Sequence, residues 1–209
     1  MRITRWLLVG AAAAAAAVAG FSLAVRLEHP SPQLASGTWL PQPRPIADFR
    51  LLDTRSRAFT RRELAAGPTL VFFGFTHCPD VCPTTLLKLA QINQDAALPR
   101  ARVLFISVDP QRDTPPLLAA YLHAFDPRFE GLTGDPQAIS ALAANFGVAV
   151  NRVELPGGDY TMDHSAVVFL VDDGARIAAI FTPPLDARAL SADLARCAPY
   201  LARARPPRS

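Results

Sequence analysis

Two short stretches constrain this chain more than anything else in it. Thr69-Leu-Val-Phe-Phe-Gly-Phe75 is a continuous apolar run of strand formers, and Arg102 to Val108 reads as another buried strand. A strand that is apolar at every position is buried on both faces, so structure must cover each side of the sheet that holds it. Between the two runs, from about Val81 to Ala97, Leu86, Leu89, Ala90 and Asn93 recur along one side of a helix. Strand, helix and strand together predict a βαβ unit at the centre of the fold.

The flanking patterns extend that unit. Ile46 to Leu52 and Ala58-Phe59-Thr60 suggest a hairpin, and Arg61 to Ala66 one helical turn ended by Gly67-Pro68. Thr114 can cap a helix whose first position is Pro115, running to about Phe125. Asp135 caps the next, with Pro136 in its first turn and Phe146 at its end. Ala149 to Val153 reads as a strand and Pro156-Gly157-Gly158 as a turn. Ala166 to Val171 and Arg176 to Phe181 pair around Asp172-Asp173-Gly174, a hairpin signal. Asp186 to about Leu201 closes the chain as a helix that Pro199 should kink or end. A βαβ opening and a ββα finish predict an α/β sandwich of the thioredoxin-like fold over residues 46–202.

The first quarter of the chain reads differently. Trp6 to Val25 is 20 residues without a charge, about the length that spans a bilayer as a helix. Arg2 and Arg5 precede it, which puts the N-terminus in the cytoplasm and the rest outside. Residues 1–27 are thus expected to form a cytoplasmic N-terminus and transmembrane anchor. The other reading is a cleaved signal peptide, with Ala17-Val18-Ala19 as the cleavage site, although the run is longer than the usual apolar region. Both export the domain. Residues 28–45 carry five prolines with Ser, Gln and Gly and read as an extended tether; residues 203–209 read as a disordered tail.

Charge excludes one class of partner. The sequence pI is near 9.1, but Arg2, Arg5 and Arg26 flank the anchor. Without them 18 basic residues face 18 acidic ones, and no basic stripe with interleaved aromatics exists to track phosphates. No nucleic acid is expected as a partner. Walker loops and the GxGxxG, HExxH and GxSxG signatures are also absent from the sequence.

The chemistry concentrates in Gly74-Phe-Thr-His-Cys78-Pro-Asp-Val-Cys82-Pro83, where the first buried strand meets the helix. Thiols at i and i+4 are expected on one helical face, with Cβ atoms about 6 Å apart. Unpaired amides and the positive end of the helix dipole favour thiolate there. Thiolates are soft ligands suited to Cu(I), so the spacing supports metal chelation. It also supports a redox-capable pair, provided the first turn loosens to let a disulfide close.

This segment resembles the copper motif of the Sco/SenC family, the copper chaperones of cytochrome c oxidase assembly. Two further segments match in order. Ser107-Val-Asp-Pro-Gln-Arg-Asp-Thr-Pro115 resembles the family's second motif, and Asp163-His-Ser-Ala166 its third. The resemblance implies that Cys78, Cys82 and His164 ligate a copper ion as Cu(I), with Cu(II) tolerated. It implies cytochrome c oxidase subunit II, with its binuclear copper site, as the partner. Another periplasmic copper carrier or a thioredoxin-like reductant would serve as donor. The place would be the bacterial cytoplasmic (inner) membrane, single-pass, with the domain in the periplasm.

The remaining candidates are weighed against these. His77 should point away from Cys82, His123 sits mid-helix and His29 lies in the tether. Asp80 is expected exposed at the helix start. Asp109 and Asp113 read as caps and turn formers. Asp163 either orients His164 or is a solvated strand-end carboxylate. Cys197 reads as a small buried hydrophobe on the last helix. The alternative function is a membrane-anchored thiol-disulfide reductase acting on the oxidase subunit's cysteines or on other exported proteins. Two features of related enzymes are missing: the Thr that peroxiredoxins carry three residues before the attacking Cys is Phe75 or Pro79 here, and Asp163-His-Ser-Ala166 holds no proline where oxidoreductases carry a cis one.

Overall fold

The computed structural model describes residues 31–94 and 102–203. The anchor expected over 6–25, the start of the tether and the tail beyond Arg203 lie outside those residues. Among the described residues no helix is long and apolar enough to cross a membrane.

The expected central unit forms. Strands β4 (Thr69–Gly74) and β5 (Arg102–Ser107) pair in parallel, joined by a crossover whose helix α2 begins at Val81 and is described to Gln94. Every residue of β4 is buried, and β5 is buried from Val103 onward. This burial is what fills their centres with consecutive apolar residues, Leu70 to Phe73 and Val103 to Ile106, rather than alternating ones. The sheet has eight strands in the order β1-β10-β9-β4-β5-β6-β2-β3. Here β1 is Gly37–Pro45, β2 Arg50–Asp53, β3 Ala58–Thr60, β6 Glu130–Thr133, β9 Val168–Val171 and β10 Arg176–Phe181. Strand β6 continues the parallel pairing, and β9 and β10 close the sheet antiparallel on the other side of β4. With the helices this is a mixed α/β thioredoxin-like fold.

The helices start where local chemistry allows. Thr60 and Glu63 form a capping box over the short helix α1 (Arg61–Leu64). Helix α3 (Pro115–His123) begins at Thr114 with Pro at its first turn, but Thr114 makes no side-chain cap bond. Helix α4 (Pro136–Phe146) is capped as expected, with Asp135 accepting from the Gln137 and Ala138 amides, and ends at Gly147 in the left-handed region. Helix α5 (Ala187–Arg203) packs beside α2. Pro199 lies inside α5 rather than ending it, because buried Cys197 and Leu201 hold that turn on the core.

Three features depart from expectation. Gly37–Pro45, assigned to the tether, is strand β1 and pairs with β10 at the edge of the sheet. An edge strand tolerates proline where its N–H would face solvent, and the register slips between Trp39 and Arg44, the stretch holding Pro41 and Pro43. Buried Asp193 fixes the start of this strand by accepting from the Ala35 and Ser36 amides and the Ser36 hydroxyl, each at 2.8 Å. Strand β6 was not expected. It is four residues long, and a Cβ on Gly131 would come within 2.7 Å of Leu118 and Leu122 in α3. Last, residues after the Pro156-Gly157-Gly158 turn form a strand of their own. Strands β7 (Val150–Glu154) and β8 (Tyr160–His164) make a separate two-stranded sheet.

Candidate metal centre

The two cysteines are positioned by the end of β4. Its last residue, Gly74, accepts from the Val108 amide at 2.8 Å, which ties the ends of β4 and β5 together. The chain then turns through Thr76 and His77, and α2 starts at Val81. Cys78 therefore precedes the helix and only Cys82 lies within it, so the two thiols do not share a helical face as the spacing suggested. The turn brings them together another way: the Cys82 amide donates to Cys78 Sγ at 3.4 Å. This serves an amide that the helix itself leaves unpaired. Cys82 is fully buried and Cys78 half-buried. Gly74 makes room for this, because a Cβ there would lie 2.8 Å from both Cys82 Sγ and the Phe105 ring.

His164 arrives from the small sheet, at the last position of β8, where it pairs with Val150. Its Nε2 lies 3.3 Å from Cys82 Sγ. Nδ1 lies 3.3 Å from the Ser165 carbonyl, so Nε2 is the ring nitrogen turned toward the thiols. The ring meets Phe72 and Phe75 edge-on, with centroids 6.2 and 5.9 Å away. One ligand-type atom from each of Cys78, Cys82 and His164 falls within 4.8 Å of the others. Two sulfurs and one imidazole nitrogen are a soft donor set that suits copper.

The thiols are electrostatically unlike. A hydrogen bond from the Cys82 thiol, with the Asp80 and Cys82 amides, lowers the Cys78 pKa to about 5. Cys82 is pushed the opposite way, first because its proton serves Cys78 and then by burial. In the metal-free reduced protein Cys78 is thus the thiolate and Cys82 the thiol.

The other candidates stand apart from this cluster. His77 is exposed, with Nδ1 3.0 Å from Thr76 Oγ1, and His123 is exposed on α3; His29 lies outside the described residues. Asp80 is exposed, and its carbonyl accepts from the Thr84 amide at 3.1 Å in the first turn of α2. Asp163 is exposed, and the Ser165 carbonyl occupies the orienting place considered for it. Cys197 is fully buried, which together with nearby Asp193 pushes its pKa up to about 12.

Asp109 and Asp113 matter more than turn formers would. Both are buried. Asp113 accepts from the Thr76 amide at 3.1 Å, the Thr76 hydroxyl at 2.6 Å and the Ser107 hydroxyl at 2.6 Å. The loop after β5 therefore holds the cysteine turn by its Thr76. The signal in the sequence was the Ser107–Pro115 motif itself, whose polar residues follow directly on a buried strand.

Comparison with known proteins agrees with this geometry. The SCO1/SenC family model matches residues 40–199. The mitochondrial SCO2 homolog of Danio rerio is 42% identical over 130 residues, covering 60% of this chain and 47% of that protein. The chain thus spans about half the length of that curated relative. The copper-bound crystal structure of Arabidopsis thaliana ScoI aligns with a TM-score of 0.69 at 32% identity, covering 74% of this chain and 98% of that one. Copper-bound ScoI of Bradyrhizobium japonicum aligns with a TM-score of 0.64 at 41% identity, covering 73% and 98%. With a family match across most of its length and these relatives, the chain belongs to the SCO1/SenC family.

Proposed function

We propose that this protein is a copper chaperone that carries copper on Cys78, Cys82 and His164 and delivers it to the binuclear copper site of cytochrome c oxidase subunit II. The observation that carries the reading is the convergence of those three side chains within 4.8 Å, on a fold whose relatives of known structure hold copper. Cu(I) is the favoured cargo, because two thiolates dominate the set; the imidazole nitrogen extends it to the harder Cu(II). At neutral pH the thiolate of Cys78 is ready for the metal, whereas Cys82 must give up its proton as copper arrives. Residues 6–25 are the anchor in this reading, holding the domain on the outer side of a bacterial inner membrane.

A second reading is favoured by the thiol asymmetry. The Cys78 thiolate is half-buried and Cys82 fully buried, the arrangement of an attacking and a resolving thiol. Cys78 would attack one sulfur of a partner disulfide, releasing the other as thiolate. Cys82 would pass its proton to that released thiolate and attack Cys78 Sγ, breaking the Cys78–partner bond and leaving a Cys78–Cys82 disulfide and a reduced partner. Two electrons pass to the partner, and a thioredoxin-like reductant would restore the pair.

Oxidase activity in a deletion strain separates the two. At low copper, His164→Ala should leave cells deficient in assembled oxidase although both thiols are intact. Full rescue by His164→Ala, with none by Cys78→Ser or Cys82→Ser, would favour the reductase.

A further inference from the structure

The thiols and the imidazole come from different sheets. Among the described strands, β7 and β8 pair only with each other, so no sheet hydrogen bonding fixes His164 against Cys82. The link is made by the loop between β5 and α3. Arg112 forms an ion pair with buried Asp109 and donates from Nη1 to the Tyr160 carbonyl at 3.0 Å. Its guanidinium lies 3.8 Å from the centroid of the Tyr160 ring. Arg152 of β7 stacks on the same ring at 3.7 Å and donates to Gln111 at 3.3 Å. The Tyr160 hydroxyl donates to Asp109 at 2.9 Å. On its other side the loop grips the cysteine turn through Asp113 and Thr76, and Arg112 lies 5.9 Å from the centroid of Phe75, the ring that also meets His164.

We propose that Arg112, seated on Tyr160 and fixed by Asp109, is a positioning residue that holds the β7–β8 hairpin where His164 meets the two thiols. The proposal rests on the copper reading for its functional meaning, but its geometry does not. A flat guanidinium can pair with a carboxylate, donate to a carbonyl and stack on a ring at once, which a lysine ammonium cannot. Groups that orient metal-binding histidines typically change metal affinity by 10–100-fold when removed.

The test uses the full chain in detergent, with Arg112→Ala and Tyr160→Leu. The second variant keeps the Asp109–Arg112 ion pair, so the buried carboxylate loses only the bond from the Tyr160 hydroxyl. In the metal-free reduced protein, nuclear Overhauser contacts from the His164 ring to Phe72 and Phe75 should be present in wild type and lost in Arg112→Ala, with Tyr160→Leu weakened. Cu(II) affinity should fall about 10-fold or more in Arg112→Ala, with loss of nitrogen coupling in the electron paramagnetic resonance spectrum. Combining Arg112→Ala with His164→Ala should cost no more Cu(II) affinity than His164→Ala alone, because both act through one ligand. Retention of the ring contacts in both variants overturns the proposal, as does a double variant whose losses multiply. If the wild type binds no copper through His164, the copper reading fails, and the ring contacts still decide the positioning role.

Discussion

Replacing Gly74 with alanine probes the packing on which the cysteine pair depends. The added methyl carbon would sit 2.8 Å from Cys82 Sγ and 2.8 Å from Phe105 Cε2, where ordinary van der Waals contact begins near 3.4 Å. Each neighbour must retreat by about 0.6 Å or the strand must shift. Neither has room, since Cys82 and Phe105 are both 0% exposed. Overpacking of this kind costs about 1–3 kcal/mol. For a domain of this size each kcal/mol lowers Tm by about 2–4 °C. The strain falls on a ligand, so Cu(I) affinity should fall at least about tenfold, a loss of about 1.4 kcal/mol. Gly67→Ala is the control, because nothing lies within 4 Å of its added carbon. Thermal unfolding of the metal-free protein and competition with a Cu(I) chelator give both numbers. A Gly74→Ala protein as stable as wild type, with unchanged Cu(I) affinity, would refute the argument that Gly74 sets the position of Cys82.

Two further outcomes follow from the electrostatics of the turn. In the metal-free reduced protein, alkylation of Cys78 should stay level from neutral pH down to about pH 6 and fall by half near the pH where the thiolate protonates, about 5, while Cys82 and Cys197 remain unreactive; a profile that rises only near pH 8–9 would mean that Cys78 is an ordinary thiol. Asp113→Asn should destabilise the fold by about 1–3 kcal/mol, because one of the two buried oxygens that accept from Thr76 and Ser107 becomes an NH2 donor, and should weaken copper binding with it; denaturant unfolding measures the first and chelator competition the second.

What could be read from the sequence follows from where the determining forces act. Strands β4 and β5 were legible because burial on both faces writes itself as consecutive apolar residues, Leu70 to Phe73 in one and Val103 to Ile106 in the other. Helix α4 was legible because Asp135 and Pro136 are local signals, and so was the turn at Asp172-Asp173-Gly174 between β9 and β10. Strand β1 was not, because Pro41, Pro43 and Pro45 look like a tether until an edge position and a register slip accommodate them. Strand β6 escaped for a related reason: Gly131 is dictated by the helix above it and not by any strand preference. At the site, motif order identified Cys78, Cys82 and His164, and the structure brings them together. Their support was hidden. The grip of Asp113 on Thr76 spans 37 positions in sequence, and that of Arg112 on Tyr160 spans 48; no local period encodes either. The spacing of the cysteines also misled in one respect. It suggested a shared helical face, whereas Cys78 stands before the helix and its sulfur accepts from the Cys82 amide.

X-ray absorption at the copper edge of the reduced, Cu(I)-loaded full chain tests the central claim most directly. The account predicts one copper per chain with two sulfurs and one nitrogen in the first shell, and two sulfurs without the nitrogen in His164→Ala. A first shell unchanged by His164→Ala, or sulfur ligation that survives Cys78→Ser and Cys82→Ser together, would contradict it.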